Sequence, residues 1–529
     1  MASSGDDSRF LWSDTPEAIE GFRSLVGGYH YDDRTICELL GIKSGHSLSE
    51  RDLSTLLAKT EQRTPLNALV RLFLVGVPVE AGWIEEVIAP MRLADWEAAG
   101  LVQVEALDTP GGSAAPCRVR DPGVSREAGS VRGRIKLVAF QGLLVAFDLP
   151  PWVEGGRHED YVMGIGSSTL TLANLTIRRR MRRALDLGTG CGILALLAAR
   201  HCDEVVAVDR NARAVRFAAF NARLNGLKNV SCRQSDLFSG VAGQPFDLVV
   251  CNPPFVVSPE TSYIYRDGGV AGDGLVQSIV RQVPAVLVEG GFCQMLCNWA
   301  HIEGQDWQAR LRDWGRGTGC DVWAMRSDTL DAEGYAAKWI RHTERDDPEH
   351  YQQRFEAWTE YYRSQRIEAV SGGLITMRRR AARPDESGGG NWFRGDDAPE
   401  KMLGSAGEDV AGAFEARDFL DAARDDAVLL RQRLKVSPHV VLKQSLRPSA
   451  EGWATTEASF HLEQGLAYSG QADPFVANLV ARCDGSRTLG ELMDGLAGEL
   501  GKPAVEIAPV LLDVVRRLIE RRFLLNRLE

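Results

Sequence analysis

A short apolar strand that runs directly into a glycine-rich turn constrains this 529-residue chain more than any other feature. The segment is Ala184-Leu-Asp-Leu-Gly-Thr-Gly-Cys-Gly192, and an apolar helical pattern follows it. Glycine lacks a Cβ atom, so it adopts left-handed backbone angles and lets a ligand approach the main chain closely. Ile193 stands where a dinucleotide-binding GxGxxG motif has its third glycine, which disfavours an NAD-dependent enzyme. The segment therefore predicts a small-molecule site where a strand meets a helix.

From residue 131 onward, the sequence alternates between short apolar runs and helical patterns. It opens with two runs, 135–140 and 143–147, which flank Gly142 and predict a hairpin. The alternation that follows predicts a mostly parallel, doubly wound α/β sheet with helices on both faces. The predicted strands of this sheet are residues 184–187, 205–208, 230–233, 248–251, 292–296, 322–325 and 374–377.

The chain is too long for one hydrophobic core, so we predict three domains. Residues 1–110 carry the helical patterns and the short strand of a winged-helix-like N-terminal domain. Residues 131–380 hold the α/β sheet, with an aromatic-rich helical insertion at about 327–368. Residues 381–407 have the composition of a linker, and residues 408–529 are predicted to form a C-terminal domain with a winged-helix-like end.

Composition argues against several classes of protein. No apolar stretch is long enough to cross a bilayer, and no secretory leader pattern opens the chain, so we expect a cytoplasmic protein without membrane contact. The ten cysteines include no CxxC pair and the nine histidines no HExxH or HxxxH pattern, so we predict no metal. The net charge of -11 disfavours a surface that coats nucleic acid but leaves a local basic patch open.

Two acidic residues follow the next two predicted strands. Asp209 ends the second strand, where a carboxylate can accept hydrogen bonds from both hydroxyls of a ribose. Asp236 lies just past the third strand, in the segment QSDLF. The alternative is that the glycines only make a tight turn and the acids only cap helices. The joint spacing of Asp186, Asp209 and Asp236 favours a cofactor site.

The loop Asn252-Pro-Pro-Phe255 follows the fourth predicted strand, at the sheet edge where a ligand crevice forms. The Asn252 side-chain oxygen and the Pro253 carbonyl can accept hydrogen bonds from a planar NH2 group. Pro253 and Pro254 stiffen the loop, and Phe255 offers a flat apolar face on which a planar substrate can stack. The loop predicts chemistry on nitrogen that depends on positioning, with a rigid turn of no chemical role as the alternative.

On these motifs, residues 131–325 resemble the HemK family of protein-glutamine methyltransferases and the related small-domain base methyltransferases. The resemblance implies a class I, Rossmann-like methyltransferase fold and S-adenosyl-L-methionine as cofactor. It also implies that Asp186 lies near the methionyl amino group, and that Asp236 bonds the adenine amine while Leu237 packs on the ring. The predicted catalytic residues are Asn252, Pro253, Pro254 and Phe255, and the predicted cofactor-binding residues are Asp186, Gly188, Thr189, Gly190, Gly192, Asp209, Arg210, Asn211, Asp236, Leu237 and Asn252.

Two segments bear on the methyl acceptor. Residues 265–275 (YRDGGVAGDGL) are similar to a glycine-rich segment of the glutamine enzymes, which favours a glutamine amide of a protein such as a translation factor. Phe255 stands where those enzymes usually carry Tyr and several ribosomal-RNA methyltransferases carry Phe, so an exocyclic base amine in rRNA, tRNA or DNA stays open. A non-catalytic scaffold that binds the cofactor is a third hypothesis, against which the intact Asn252 and Asp209 argue.

Four further segments allow more than one interpretation. Residues 161–169 (YVMGIGSST) are predicted either to close over the cofactor or to form an ordinary loop that leads into a helix. The basic runs at 178–183 and 378–380 border predicted strands, where such runs are more often solvated than bound to nucleic acid. The C-terminal domain resembles both winged-helix nucleic-acid binders and peptide-holding elements. We hypothesise that the terminal domains recruit the substrate.

Overall fold

The computed structural model describes residues 10–12, 15–43, 45, 52–105, 129–150, 160–260, 271–343, 348–380, 391–450, 452–501 and 503–526. The chain divides into two compact units: Met1–Leu172 with Arg180–Asp396, and Ala173–Arg179 with Asp397–Glu529. In this division the N-terminal helices share a unit with the large sheet. The three predicted domains and their boundaries stay a prediction.

The N-terminal part of the first unit is mainly helical, with a small antiparallel sheet. One helix begins at Asp33 because the carboxylate of Asp32 accepts the Thr35 amide at 2.8 Å, and Gly41 ends it with a φ of 63°. The helices are Pro16–Gly28, Asp33–Leu40, Leu53–Lys59, Pro65–Leu69, Ala81–Ile88 and Leu93–Ala98, with a π-helical segment at Val70–Val75. The strands β1 (Val79–Glu80), β2 (Val102–Glu105) and β3 (Ser130–Gly133) pair in the order β1-β3-β2.

A hairpin of β4 (Ile135–Phe140) and β5 (Leu143–Asp148) follows, which confirms the predicted pair of strands. The hairpin is fastened to the helix Ala212–Leu224 by Asn221. The Asn221 amide oxygen accepts the Ala146 N–H, and its Nδ2 donates to the Ala146 carbonyl, each at 2.8 Å.

An eight-stranded sheet forms the centre of the first unit. Its strands are β6 (Met181–Leu187), β7 (Cys202–Asp209), β8 (Val230–Gln234), β9 (Phe246–Cys251), β10 (Leu287–Ile302), β11 (Cys320–Asp331), β12 (Ile367–Arg379) and β13 (Phe393–Asp397). They lie in the order β13-β11-β12-β10-β9-β6-β7-β8. Strands β10, β9, β6, β7 and β8 are parallel, whereas β12 is antiparallel to β10 and β11. All seven predicted strands are confirmed, as is the mostly parallel Rossmann-like sheet.

Burial explains why the central strands of this sheet contain continuous apolar runs rather than alternating ones. Val205 and Val206 point to opposite faces of β7, and both are 0% exposed. A parallel strand covered on both faces needs apolar side chains at successive positions. The helices that connect the strands are Ser167–Leu175, Ile193–Ala198, Ala212–Leu224, Gly274–Gln282 and Trp307–Gly315.

The aromatic-rich insertion folds into two helices, Ala332–Thr343 and Pro348–Ser364. Their buried aromatic side chains form a separate apolar cluster with Val256 and Val257, which follow β9. The aromatic members of this cluster that are at most 3% exposed are Tyr335, Trp358 and Tyr362. The insertion therefore packs on the segment that continues from the loop Asn252–Phe255.

The second unit combines helices with small antiparallel sheets. Its helices are Gly407–Ala422, Asp426–Leu430, Pro474–Arg482, Leu489–Leu500 and Ala504–Glu520. Its strands are β14 (Met402–Leu403), β15 (Leu434–Val436), β16 (Val440–Ser449), β17 (Gly452–Leu462), β18 (Gly465–Leu466), β19 (Ser469–Gln471) and β20 (Leu524–Asn526). Strands β16 and β17 form a long hairpin with an exposed Trp453 near its turn. None of the helices that the structure describes in either unit is long and apolar enough to span a membrane.

Candidate functional site

The glycine-rich turn leaves β6 with three left-handed residues. Gly188, Gly190 and Gly192 have φ values of 74°, 53° and 86°. A Cβ atom added to Gly192 would lie 2.9 Å from the Cα of Ala218, so packing of two helices requires glycine there. A Cβ at Gly188 or Gly190 would meet no described atom within 4 Å. These two glycines therefore border open space, which a ligand could occupy against the bare main chain.

Asp186 lies beneath this turn and is 0% exposed. Its Oδ2 accepts hydrogen bonds from the Thr189 hydroxyl at 2.6 Å and from the Ala195 N–H at 3.0 Å. Its Oδ1 is buried and has no hydrogen-bond partner within the part of the chain that the structure describes. Burial raises the pKa of Asp186 to about 7. A buried carboxylate oxygen with spare capacity suits a cationic ammonium group.

Asp209 ends β7 and receives two main-chain amides. Its Oδ2 accepts the Gly190 N–H and its Oδ1 accepts the Asn211 N–H, each at 2.9 Å. Burial raises the pKa of Asp209, although these two hydrogen bonds oppose the shift. Asp209 thus joins the glycine turn to the next helix, and each of its oxygens can still accept a further donor.

The two residues after Asp209 have structural roles as well. The Asn211 side chain caps the helix Ala212–Leu224 by accepting the Arg213 N–H at 2.9 Å. The Asn211 Nδ2 also donates to the Asp160 carbonyl at 2.8 Å. Arg210 is exposed, and its carbonyl accepts from Gln234 at the end of β8.

Asp236 and Leu237 lie beyond β8 in a loop that holds a strained residue. Leu237 has a φ of 46°, which is rare for a branched side chain and marks a constrained loop. The Ser235 hydroxyl holds the loop, since it donates to the Leu237 carbonyl and accepts the Gly240 N–H. Leu237 is half-buried and packs against the main apolar core, whereas Asp236 is exposed.

Asn252 leaves β9 next to the glycine turn. Strands β6 and β9 are parallel neighbours, and Leu187 pairs with Cys251 in register, so Gly188 and Asn252 emerge at the same sheet edge. The Asn252 Nδ2 donates to the hydroxyls of Ser168 at 3.3 Å and Thr169 at 3.2 Å. Its Oδ1 is buried and makes no hydrogen bond to any described residue. The loop thus presents a carbonyl oxygen with both lone pairs available.

Residues 160–169, which we call the strap, connect the two sides of the site. At its start, the Asp160 carbonyl accepts from Asn211, and the Val162 N–H donates to Asp148 at 2.7 Å. At its end, the helix Ser167–Leu175 carries the two hydroxyls that contact Asn252. The predicted closure over the cofactor stays a prediction, but the strap does extend from the Asp209 side to the Asn252 side.

The rest of the loop Asn252–Phe255, which we call the acceptor loop, lies beside the aromatic insertion. Pro253 is buried, and Pro254 and Phe255 are half-buried. The Phe255 ring lies edge to face with Trp339 of the insertion, with 6.3 Å between ring centroids. Phe255 thus has a fixed apolar neighbour on one side.

Two tyrosines of the insertion hold the main chain just after Phe255. The Tyr335 hydroxyl accepts the Val257 N–H at 3.2 Å, and the Tyr362 hydroxyl donates to the Val257 carbonyl at 2.8 Å. Asn298 of β10 also donates to the Tyr335 hydroxyl, at 2.6 Å. Sequence reasoning missed these contacts, because no spacing links a tyrosine at 335 or 362 to a loop near 255.

Some predicted features are not brought to the site. The basic run 178–183 is largely paired with carboxylates, as Arg179 binds Glu408 and Glu415 and Arg183 binds Glu204. In the run 378–380, Arg378 and Arg380 both pair with Asp321. Of the glycine-rich segment 265–275, residues 265–270 lie outside the described residues.

The residues present fit S-adenosylmethionine. The cofactor carries an ammonium group, a carboxylate, a ribose and an adenine around a sulfonium. The site supplies an orphaned carboxylate oxygen on Asp186, two glycines that border open space, and a second carboxylate on Asp209. Both acids complement the positive charge of the ligand. The roles of the individual residues stay predictions.

Comparisons with known proteins agree with this architecture. Residues 163–301 match the family described as methyltransferase small domain. Residues 28–112 and 411–526 match two further families, each described as a domain of unknown function.

Three named proteins are each similar to about a quarter of the chain. The release factor glutamine methyltransferase of Escherichia coli is 39% identical over 136 residues, which are 23% of this chain and 48% of that protein. A protein of Methanocaldococcus jannaschii, provisionally named a protein N5-glutamine methyltransferase, is 34% identical over 136 residues, 24% of this chain and 68% of that protein. The ribosomal protein uL3 glutamine methyltransferase of Xanthomonas campestris is 42% identical over 138 residues, 24% of this chain and 44% of that protein.

The fold and the family match of residues 163–301 define a methyltransferase domain of the class I, Rossmann-like type. Within that class, the chain belongs to the HemK-type family of the relatives just described. The chain spans about half the length of the Escherichia coli and Xanthomonas relatives and 68% of the Methanocaldococcus protein.

Proposed function

We propose that this chain transfers a methyl group from S-adenosylmethionine to the side-chain amide of a glutamine in a protein, such as a release factor or a ribosomal protein. The observation that carries the proposal is the buried Oδ1 of Asn252, which has no partner among the described residues and lies beside the glycine turn. An acceptor atom at this place suits a planar NH2 group. The names of the three relatives support a glutamine amide.

In this proposal the carboxylates and the glycine turn hold the cofactor. Asp186 Oδ1 receives the methionyl ammonium, Asp209 receives the ribose hydroxyls, and the bare main chain of the turn lies against the methionine portion. Asn211 holds both the strap and the helix that follows Asp209. The residues that we assign to cofactor binding alone are Asp186, Gly188, Thr189, Gly190, Gly192, Asp209, Arg210, Asn211, Asp236 and Leu237, whereas Asn252 is assigned to the methyl acceptor.

The acceptor loop has to make a poor nucleophile reactive, because an amide nitrogen shares its lone pair with the neighbouring carbonyl. Asn252 Oδ1 and the Pro253 carbonyl accept the two N–H bonds, which fixes the nitrogen and turns its lone pair toward the cofactor. Phe255 supports the flat amide from one side. When bound, S-adenosylmethionine would supply an electrophilic methyl group on its sulfonium, and the amide nitrogen that receives the methyl would release a proton to solvent. Positioning then provides most of the rate enhancement.

An exocyclic amine of a nucleobase is the second candidate acceptor. Phe255 and Trp339 form an aromatic pair that would stack a base as readily as an amide. The ion pairs within the basic runs weigh against this alternative, since Arg179, Arg183 and Arg378 bind carboxylates, which compete with phosphates for these side chains. The glutamine amide is therefore the better-supported acceptor.

The test is methyl transfer from tritium-labelled S-adenosylmethionine by the full chain. The acceptors are purified release factors, ribosomal protein uL3, and total RNA and DNA, each in a separate reaction. We expect label in protein that yields N5-methylglutamine on hydrolysis and mass analysis. Label only in nuclease-sensitive material would replace the amide with a base. Absence of label everywhere, with no calorimetric binding of the cofactor, would contradict catalysis.

A further inference from the structure

Asn252 can present either end of its amide to the acceptor. Rotation of the side-chain amide by half a turn exchanges an oxygen for an NH2 group of nearly the same shape. When the Asn252 oxygen faces the substrate, it can accept a hydrogen bond from the substrate NH2 group. When the Asn252 NH2 group faces the substrate, two hydrogen-bond donors face each other and no hydrogen bond forms. Some feature of the chain must therefore select the orientation.

We infer that Ser168 and Thr169 are positioning residues that hold the Asn252 amide with its oxygen toward the methyl acceptor. Both hydroxyls lie within hydrogen-bond distance of the same atom, Nδ2, at 3.3 Å and 3.2 Å. An NH2 group has two hydrogens, and two hydroxyl oxygens receive them. The inference rests on the proposed function only in requiring an NH2 acceptor.

The count of donors and acceptors shows why this orientation is preferred. As it stands, Asn252 leaves one carbonyl oxygen without a partner among the described residues. The reversed amide would leave two N–H groups in that buried place, and unsatisfied donors are costlier to bury than one carbonyl oxygen. The two hydroxyls thus favour the orientation in which Nδ2 faces them. In that orientation the NH2 group of the methyl acceptor can satisfy the remaining carbonyl oxygen.

The two hydroxyls are themselves held in place. Thr169 is 8% exposed, and both residues lie in the first turn of the helix Ser167–Leu175. The start of the strap is fastened by Asn211 and by Asp148, whose carboxylate also binds Arg213 at 2.5 Å. Because the strap is fastened at its start and continues into a helix at its end, its hydroxyls can act as a fixed reference for Asn252. The hydrogen bonds to Nδ2 are at the long end of the usual range, as is common before a substrate is bound.

The main test is the double variant Ser168→Ala/Thr169→Val, which removes both hydroxyls and nearly preserves side-chain volume. We expect kcat for methyl transfer to fall about 10- to 100-fold. The dissociation constant for S-adenosylmethionine and the unfolding midpoint should stay close to those of the unmodified chain. A matched variant, Ser168→Ala/Thr169→Ser, keeps one hydroxyl and should recover most of the lost activity. Unchanged kcat in the first variant, or an equal loss in the second, would overturn the inference.

The variant Asn252→Asp distinguishes a positioning role of the two hydroxyls from a merely structural role. A carboxylate has two equivalent oxygens, so it needs no selection between ends. In the Asn252→Asp background, loss of both hydroxyls should therefore change kcat by less than about threefold, a large departure from additivity. If Asn252→Asp is inactive, the comparison of Ser168→Ala/Thr169→Val with Ser168→Ala/Thr169→Ser decides between the two roles. If the unmodified chain transfers no methyl group to any acceptor, the proposed function is wrong. If the chain is active and kcat does not change when both hydroxyls are removed, only this inference is wrong.

Discussion

The proposed site has a cofactor side and a methyl-acceptor side, and the two are built in different ways. On the cofactor side, Asp186 and Asp209 hold the glycine turn through hydrogen bonds of 2.6 to 3.0 Å. Each of these bonds joins residues that are at most 19 positions apart in the chain. On the acceptor side, Asn252 is held by hydroxyls more than 80 positions away, at 3.2 and 3.3 Å. The first side is a local, preformed strand–turn–helix unit. The second depends on distant segments that the fold brings together.

This difference predicts that substitutions on the two sides affect different steps. Cofactor-side changes should alter the affinity for S-adenosylmethionine, and acceptor-side changes should alter kcat at unchanged affinity. Any residue that violates this division would show that the two sides work as one unit. The strap is the place where such coupling would arise, because it contacts both Asn211 and Asn252.

The sharpest test of the acceptor side is Asn252→Ala. Removal of the only side-chain acceptor that we assign to the NH2 group should lower kcat by about 10³-fold, the scale seen when one group that stabilises a transition state is lost. Cofactor affinity, measured by calorimetry, should stay within a few fold. A loss of affinity comparable to the loss of kcat would show that Asn252 belongs to the cofactor side.

The corresponding test of the cofactor side is Asp209→Ala. Loss of charge-assisted hydrogen bonds should weaken binding of S-adenosylmethionine by about 1.5 to 3 kcal/mol, or about 10- to 160-fold. Asp203→Ala is a matched control, because Asp203 is an exposed acid on the same strand and pairs only with the exposed Arg180 among the ion pairs described. The control should bind as the unmodified chain does. Equal affinity in both variants would contradict the ribose assignment.

Acid should weaken cofactor binding without changing the acceptor side. Burial raises the pKa of Asp186 to about 7, and only the ionised carboxylate attracts an ammonium group. Because binding must release the proton below that pKa, the dissociation constant should rise about 10- to 30-fold as the pH falls from 7.5 to 5.5. Calorimetry at three pH values measures this, and Asp186→Asn should flatten the profile. A flat profile in the unmodified chain would separate Asp186 from the ammonium.

The contrast also explains how much the sequence could predict. The strands, the parallel sheet and the turn were predictable because each depends on a short pattern: apolar runs, left-handed glycines and an acid at a strand end. The carboxyl ends of parallel strands meet at one sheet edge, so the pattern also predicts that Gly188 and Asn252 lie at the same edge. In the structure, Leu187 pairs in register with Cys251, which places them there.

The support around Asn252 could not be predicted in the same way. Nothing near Ser168 or Thr169 indicates that their hydroxyls contact residue 252, since that contact depends on how the strap crosses the sheet edge. The sequence predicted the aromatic insertion as a helical segment. Its hydrogen bonds to the Val257 main chain, however, depend on how Tyr335 and Tyr362 pack. Long-range side-chain contacts leave no periodic signal in a single sequence.

The smallest expected effect tests whether the insertion belongs to the acceptor side. Tyr335→Phe removes the hydroxyl that accepts the Val257 N–H and should lower kcat about threefold to tenfold, since a net hydrogen bond contributes about 1 kcal/mol. Cofactor affinity should not change, because Val257 follows the acceptor loop and lies away from the glycine turn along the chain. Tyr351→Phe is the control, as the Tyr351 ring stacks on Phe355 in the same insertion. Equal kcat values for the two variants would show that the insertion only covers the sheet, and the acceptor side would then reduce to the Asn252 loop and the strap.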